Sequence, residues 1–315
     1  MDLHPPGDVE PHLCLFCRDP PSLYHKDLHS PGDVVNIEYP RPLGGERIKV
    51  LGSCRDLLCI SKANDRDVAI WNPFTGDHEL LPPEDTQIHG GLVRSVCVNG
   101  FGYDDENGNC VLVRLIQTLE ERIESRLSIY RSGANAWRRL QEIEIPYYLD
   151  LMDKRGVFVH GHARVHWIMR REWALNSAKV LVAFDFHANN FVEVDQLNLI
   201  DNKRDMDLTV LGGCLCLIIY DAPKGVDVWI KREYGLNGPW IQLFSIAEYP
   251  RDMGLLRPLA FSQVGDRVLV VVGGENPTLV WCDLRIDAVD EFDVGDMPGF
   301  FDAEICLRAH VPADG

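Results

Sequence analysis

The sequence predicts an all-β chain folded as a β-propeller with six four-stranded blades, and two repeated features support this prediction. The first is a short apolar strand that ends on an aromatic residue and returns roughly every 50 residues. Its five copies end at Trp71, Tyr130, Phe184, Trp229 and Trp281. The second is an apolar residue at the centre of the preceding strand, with the same period: Leu58, Leu112, Trp167, Leu217 and Leu269. A repeat of this length, with several strands in each unit, is typical of a β-propeller.

Each repeat is interpreted as four antiparallel strands, called A at the centre of the ring to D at its rim. We expect the A strands near residues 48–52, 93–101, 156–161, 208–212 and 258–263. The B strands are expected near residues 57–60, 110–117, 165–169, 215–220 and 267–272. The C strand ends on the aromatic residue of the repeat, and the D strand follows after a turn. Turn-forming residues such as Asp104 to Gly108 separate the strands, and helices are expected to be nearly absent.

The two ends of the chain supply the sixth blade. Segments 12–17, 22–24 and 34–39 have the pattern of three strands, and residues 303–311 can provide the missing innermost strand. Pairing the N-terminal strands with the C-terminal strand would close the ring and remove its exposed edges. A seven-bladed ring is the alternative. We therefore predict a propeller over residues 12–311, with disordered tails at 1–11 and 312–315.

The composition argues against several classes of partner. The net charge is −17, and a strongly acidic surface repels phosphate backbones, so we expect no nucleic-acid partner. No apolar run approaches the roughly 20 residues of a membrane helix, so we expect no membrane partner. The first residues lack the basic start and the apolar stretch of a secretory signal. We therefore expect a cytoplasmic or nuclear protein that is not secreted.

No catalytic constellation or cofactor motif is visible, so we expect a non-enzymatic protein with no cofactor and no metal site. His160 and His162 are the strongest exception, because alternate residues of a strand share a face and could bind a metal together. A propeller enzyme with a metal site near this pair is therefore the alternative. The lone Cys14-Leu-Phe-Cys17 motif is interpreted as a pair of core cysteines, since zinc requires four ligands and no second motif of this type is present.

Several segments, in the same order and at similar spacing, resemble one plant family. They are Gly52-Ser-Cys-Arg-Asp-Leu-Leu-Cys59, Trp71-Asn-Pro-Phe-Thr75, Leu81-Pro82 and Phe101-Gly-Tyr-Asp104. The family is that of the F-box-associated, kelch-like β-propellers. The departures are small: Arg55-Asp56 stand where the family pattern has Asn-Gly, and Phe74 stands where it has Ser.

The resemblance implies the substrate-recognition domain of an F-box protein in an SCF-type ubiquitin ligase. Members of this family carry a helical F-box before the propeller, which docks a Skp-type adaptor and, through it, a cullin. This sequence starts almost directly with the first predicted strand, so we expect those two partners only if a longer F-box-bearing form exists. An inactive, truncated copy of an F-box protein is a further alternative.

One face of the predicted ring has the composition of a binding surface. The D–A and B–C connections of a propeller emerge on the same face, and here they contain aromatic, Met and Arg residues, which are enriched in protein-binding hot spots. We predict that this face binds an unknown substrate or partner protein. The candidate residues are Tyr147, Tyr148, Arg170, Arg171, Trp173, Arg251, Met253, Phe300 and Phe301.

Overall fold

A computed structural model describes most of the chain. The described residues are 9–18, 21–28, 34–40, 43, 48–62, 67–84, 95–119, 123–140, 145–149, 155–174, 177–195, 204–221, 225–234, 238–247, 254–273, 277–286, 288–292, 294 and 301–309. Within these ranges the 3-10 turn Ser132–Ala134 is the only helical element. None of these residues forms a helix that could span a lipid bilayer.

Six antiparallel sheets, numbered here as blades 1 to 6 in chain order, contain the strands. Blade 1 has β1 (Val9–Arg18), β2 (Pro21–Asp27) and β3 (Val35–Ile37), and blade 2 has β4 (Ile48–Cys54), β5 (Leu57–Lys62), β6 (Val68–Trp71) and β7 (His78–Leu80). Blade 3 has β8 (Ser95–Asp104), β9 (Asn109–Leu119), β10 (Ile123–Arg131) and β11 (Ala136–Leu140). Blade 4 has β12 (Tyr148–Leu149), β13 (Val157–Phe158), β14 (Arg164–Arg170), β15 (Lys179–Asp185) and β16 (Asn190–Asp195). Blade 5 has β17 (Asp205–Leu211), β18 (Cys214–Asp221), β19 (Gly225–Lys231) and β20 (Trp240–Ala247), and blade 6 has β21 (Leu256–Phe261), β22 (Arg267–Val272), β23 (Thr278–Asp283) and β24 (Val289–Glu291). The last strand, β25 (Phe301–Ala309), belongs to blade 1.

Blade 1 closes the ring by combining strands from the two ends of the chain. Its strand order is β25-β1-β2-β3, and β25 pairs with β1 in antiparallel register from Val9 opposite Ala309 to Cys17 opposite Phe301. The predictions of six blades and of this closure are confirmed. The first strand begins at Val9, inside the segment 1–11 for which we predicted a disordered tail. Residues 1–8 and 310–315 lie outside the described residues.

Apolar side chains fill the six spaces between neighbouring blades. Each space contains its own cluster of buried residues, so every blade is covered on both faces. The aromatic residues that mark the repeat lie in these spaces, and Trp71, Tyr130 and Phe184 are at most 1% exposed. Tyr130 and Phe184 contact the aromatic residues opposite them, Trp137 and Phe191, with ring centres 5.6 and 5.1 Å apart. Coverage on both faces explains the nearly continuous apolar runs of the central strands.

Blade 4 differs from the prediction at its innermost strand. Instead of one strand over residues 156–161, two short strands, β12 and β13, pair with different parts of β14. Tyr148, which we placed in a loop, lies in β12 opposite Arg170. The loop prediction for Tyr148 is therefore wrong, because the segment before the expected strand also forms hydrogen bonds with β14.

Glycines allow blade 3 to approach blade 4 closely near the centre of the ring. Gly100 of β8 forms a parallel bridge with Gly156, whose N–H donates to the carbonyl of Asn99 over 2.6 Å. A Cβ atom on Gly100 would lie 2.2 Å from Cγ1 of Val165 and 3.4 Å from Cα of Gly156. A residue with any side chain at position 100 would therefore push the two blades apart.

Replacement of Gly100 by Ala should lower the free energy of unfolding by about 2 kcal/mol, because overpacking of a filled core typically costs about 1–3 kcal/mol. Urea unfolding monitored by tryptophan fluorescence measures this loss. Val165→Ala removes the methyl group that the new Cβ would meet. The loss in the Gly100→Ala, Val165→Ala double variant should therefore be smaller than the sum of the two single losses. Strict additivity would contradict this account of the close approach.

Polar side chains from four blades meet in the central channel, and those from three of the blades are charged. Glu304 of β25 accepts hydrogen bonds from Arg155 Nη1 at 2.8 Å, from Arg257 Nη1 at 3.2 Å and from Ser53 Oγ at 3.0 Å. Arg155 precedes β13 in blade 4, Arg257 lies in blade 6 and Ser53 lies in blade 2. Arg257 also pairs with Asp302 on β25. The closing strand is therefore attached to three other blades by its side chains, in addition to its pairing with β1.

The turn between β4 and β5 contains the first departure from the family pattern. Arg55 has a φ of 57°, in the left-handed region that Asn and Gly adopt at lower cost. Its guanidinium carbon lies 3.7 Å from the ring centre of Tyr103, and Arg55 also pairs with Asp105. Tyr103 and Asp105 belong to blade 3, so these contacts offset the strain of the turn and connect blade 2 to blade 3.

Candidate partner-binding face

The D–A and B–C connections lie at one end of the ring, because the four strands of each antiparallel blade alternate in direction. The structure describes this end best at blade 4. Three of the candidate residues, Arg251, Met253 and Phe300, lie outside the described residues. Five others lie together on blade 4 and are called the blade 4 patch: Tyr147, Tyr148, Arg170, Arg171 and Trp173.

Trp173 lies in the connection between β14 and β15, and 45% of its surface is exposed. Its ring centre is 6.2 Å from that of Tyr148, with the two planes tilted by 54°. The connection is ordered by a hydrogen bond of 2.9 Å from the N–H of Glu172 to Oγ of Ser177. The two rings form an aromatic pair of which Trp173 is the more accessible member.

A buried amide holds the backbone on both sides of Tyr148. Gln117 of blade 3 is completely buried, and its Nε2 donates to the carbonyl of Tyr147 over 2.7 Å. Its Oε1 accepts from the N–H of Leu149 over 2.6 Å. The backbone of Tyr148 is therefore ordered before any partner protein binds. A surface that is already ordered loses less entropy on binding.

Glu193 of β16 connects two other members of the blade 4 patch. It accepts a hydrogen bond of 2.7 Å from Arg171 Nη2 and one of 3.1 Å from the Tyr147 hydroxyl. Burial and the hydrogen bond to Glu193 raise the pKa of Tyr147, so its phenol stays protonated and donates. Exposed ion pairs contribute at most about 1 kcal/mol to stability. The main effect of Glu193 is therefore to orient the guanidinium of Arg171 on the surface.

The remaining candidates are less accessible. Arg170 is half-buried, with Nη1 3.5 Å from the carbonyl of Ser177. Phe301 is the first residue of β25, is 9% exposed and packs in the space between blades 6 and 1. Our placement of Phe301 in a loop is therefore wrong, because the closing strand begins at this aromatic residue.

His160 and His162 do not share a site. His160 is exposed, with Nδ1 3.5 Å from Oδ2 of Asp105, whereas His162 stacks on Tyr234 with ring centres 3.8 Å apart. Among the described residues, one group of three side chains brings its possible ligand atoms within 4.8 Å of one another, and it contains neither His160 nor His162. The structure therefore gives no support to a propeller enzyme with a metal at this pair.

His166 is completely buried and uses both ring nitrogens. Nδ1 donates to the carbonyl of Val157 over 3.0 Å, which leaves Nε2 to accept from the hydroxyl of Tyr234 over 2.7 Å. Burial lowers the pKa of His166 to about 4, although the hydrogen bond to Val157 opposes this shift. His166 is therefore a neutral structural residue at pH 7.

Asp104 closes the hairpin turn that the sequence predicted. Its Oδ1 accepts from the N–H groups of Glu106 and Asn107, and its Oδ2 accepts from Nδ2 of Asn107 and from Nε2 of His187. Burial alone would raise the pKa of Asp104, but the hydrogen bonds from His187 and Asn107 lower it overall. The acidic run at 104–106 is thus a turn, as interpreted from the sequence.

A comparison with protein-family models identifies the family of the chain. The model of the F-box associated β-propeller domain matches residues 29–297. The chain belongs to this family. The segments in which we recognised the resemblance, from Gly52 to Asp104, lie inside the matched range. The six-bladed ring of the structure agrees with the β-propeller named in the description of the family.

Relatives of this F-box-associated propeller include plant F-box proteins. F-box protein CPR1 of Arabidopsis thaliana is 28% identical over 322 residues, which cover 95% of this chain and 76% of CPR1. A second F-box protein of the same plant is 28% identical over 317 residues, with coverage of 95% and 77%. Among solved structures, a chain of a nidogen/laminin complex aligns with a TM-score of 0.51 and 13% identity over 94% of this chain and 98% of that one. This last similarity concerns the fold alone.

Sequence reasoning missed one group of side chains in blade 1. Glu10, His12 and Asp27 place possible ligand atoms within 4.8 Å of one another. The sequence did contain a signal, because His12 and Asp27 lie at equal distances in sequence from residues 19–20. A hairpin turning at those residues would place His12 opposite Asp27.

Proposed function

We propose that this F-box-associated propeller recognises a protein through the blade 4 patch and the connections beside it, and that it selects this protein for ubiquitin-dependent degradation. The propeller would act as a binding module without an enzymatic activity or a cofactor of its own, inside the cell. The family and the F-box relatives support the general role. The contact with a Skp-type adaptor would belong to a helical F-box and not to the propeller.

One observation supports the choice of the blade 4 patch. An exposed Trp173 lies beside a backbone-anchored Tyr148 and an oriented Arg171, and these three residue types are the ones most enriched in binding hot spots. Rigid aromatic groups offer a large contact area at a low entropic cost. The two arginines also place positive charge on a protein with a net charge of −17.

The test compares proteins retained from a plant cell extract by the immobilised chain and by its Trp173→Ala variant. A true partner should be retained by the unmodified chain and lost with the variant. Purified partner should then bind the variant about 30-fold more weakly, which corresponds to about 2 kcal/mol for a hot-spot tryptophan. In cells, the level of this partner should rise when the gene for the chain is silenced.

Ile286 provides a matched control. It is 63% exposed in a C–D turn of blade 6, which lies at the opposite end of the ring. Ile286→Ala should leave retention and affinity unchanged. Equal retention by the Trp173→Ala variant would refute the role of the blade 4 patch, and repeated failure of the unmodified chain to retain any protein would refute the proposed function.

A further inference from the structure

The hairpin of β1 and β2 places several possible metal ligands on one face of blade 1. His12 is directly opposite Asp27, and Cys14 is directly opposite His25. Residues two apart on a strand share a face, so Glu10 and His12 lie on the same side as His25 and Asp27. This side faces blade 2, because Cys14 packs in the cluster between blades 1 and 2.

His12 is buried without a hydrogen-bond partner. It is 3% exposed, and among the described residues neither Nδ1 nor Nε2 has a partner within hydrogen-bond distance. Its Nε2 is 3.9 Å from Oε2 of Glu10, which is too far for a hydrogen bond but suited to a shared ion. A buried polar group without a partner is costly and requires an explanation.

We propose that Glu10, His12 and Asp27 bind one divalent transition-metal ion between β1 and β2, and that Zn²⁺ is the ion favoured by this set. Imidazole nitrogen and carboxylate oxygen are both ordinary zinc ligands, with bond lengths of about 2.0–2.2 Å. The three ligand atoms already lie within 4.8 Å of one another, so small side-chain rotations would bring them to one ion. The ion would bind one of the two ring nitrogens of His12.

His25 is the fourth donor in this arrangement. Its Nδ1 is also buried without a partner among the described residues, and its ring centre is 5.6 Å from that of His12. Two imidazoles on one tetrahedral ion hold their ring centres roughly 5 Å apart, as metal–nitrogen bonds of about 2.0 Å require.

Access to the site is open on one side and closed on the other. Phe74 lies edge-on to both histidines, with ring centres 5.0 and 6.0 Å away, and it covers the site from blade 2. The side chain of Glu10 is 47% exposed, so an ion can enter from solvent on that side. Phe74 is one of the two departures from the family pattern, so this chain has an apolar cover where the pattern has a serine.

The test exposes the metal-free chain to ZnCl₂, removes excess by gel filtration and measures retained zinc by atomic emission. We expect one zinc per chain and a higher melting temperature in the presence of zinc, because an ion that binds only the folded state stabilises it. Co²⁺ in place of zinc should give the visible bands of a nitrogen and oxygen site without a thiolate band. Such a thiolate band would assign the ion to cysteine and overturn the proposal.

Three variants complete the test. His12→Ala and Asp27→Asn should each weaken zinc binding about 100-fold or more, since even residues behind the ligands commonly contribute about 10–100-fold. Asp27→Asn keeps the shape of the side chain, so it remains informative if His12→Ala fails to fold. His160→Ala, at the exposed histidine, should change nothing. Equal zinc retention by all variants would refute the site, and so would the absence of zinc retention by the unmodified chain. An ordered water molecule would then be the partner of His12.

Discussion

Replacement of Glu304 by Gln should lower the free energy of unfolding by about 3 kcal/mol, because it leaves the Arg155 and Arg257 cations in the channel without their shared anion. Removal of one partner from a buried ion pair typically costs about 3–5 kcal/mol. The side chains of Glu304 and Arg155 remain 17% and 27% exposed, which places the expected loss at the lower end of this range. Urea unfolding at pH 7 measures the loss.

Two comparisons make this result specific to the channel. Glu124 is an exposed acid on β10, and Glu124→Gln should change the free energy of unfolding by less than about 0.5 kcal/mol. Arg155→Met combined with Glu304→Gln should be more stable than Glu304→Gln alone, because the double variant no longer holds an unpaired cation. A Glu304→Gln variant as stable as the Glu124→Gln control would refute the contribution of the channel ion pairs.

Acid should begin to destabilise the protein through His166 near pH 6.5, above the range in which carboxylates titrate. The pKa of His166 is about 4 in the folded chain, against about 6.5 in the unfolded chain. Between these values the unfolded state binds the proton and the folded state does not, so stability falls as the pH drops from about 6.5 to about 4. The full difference is on the order of 3 kcal/mol.

The His166→Asn variant isolates this contribution. Asparagine can still donate to the carbonyl of Val157 but does not titrate, so stability should fall less between pH 7 and pH 4.5 in the variant than in the unmodified chain. Denaturant unfolding at the two pH values gives the two slopes. Identical slopes for His166→Asn and the unmodified chain would contradict the proposed linkage.

The architecture was predictable because it depends on periodicity. Strand-ending aromatic residues such as Trp71 and Tyr130 pack in the spaces between blades, so their spacing gives the length of a blade. The leftover strands at the two ends then required a shared blade, and the pairing of β1 with β25 confirms it. Blade 4 was predicted less well, because its inner strand is split and the short strand β12 has no periodic pattern.

The sites were predicted less completely, because they depend on register and on contacts between distant blades. The aromatics Tyr147 and Trp173 stood out by composition, but the hydrogen bonds of Tyr147 with Gln117 and Glu193 join parts of the chain that share no local pattern. The pairing of Glu304 with Arg155 depends on the ring being closed. Phe301 was placed in a loop but begins β25. Residue type alone does not distinguish an aromatic residue at the start of a strand from one in a loop.

The shared first blade also constrains the order of events when the ribosome makes this protein. Val9 pairs with Ala309, so β1 waits for its inner neighbour until the 300 positions that separate the two residues have been synthesised. During that time the inner edge of β1 offers unpaired backbone groups to any other strand. Contacts between residues so far apart form slowly, because a long loop must close first. The closed ring of the finished protein therefore comes with a long interval during synthesis in which its first sheet is incomplete.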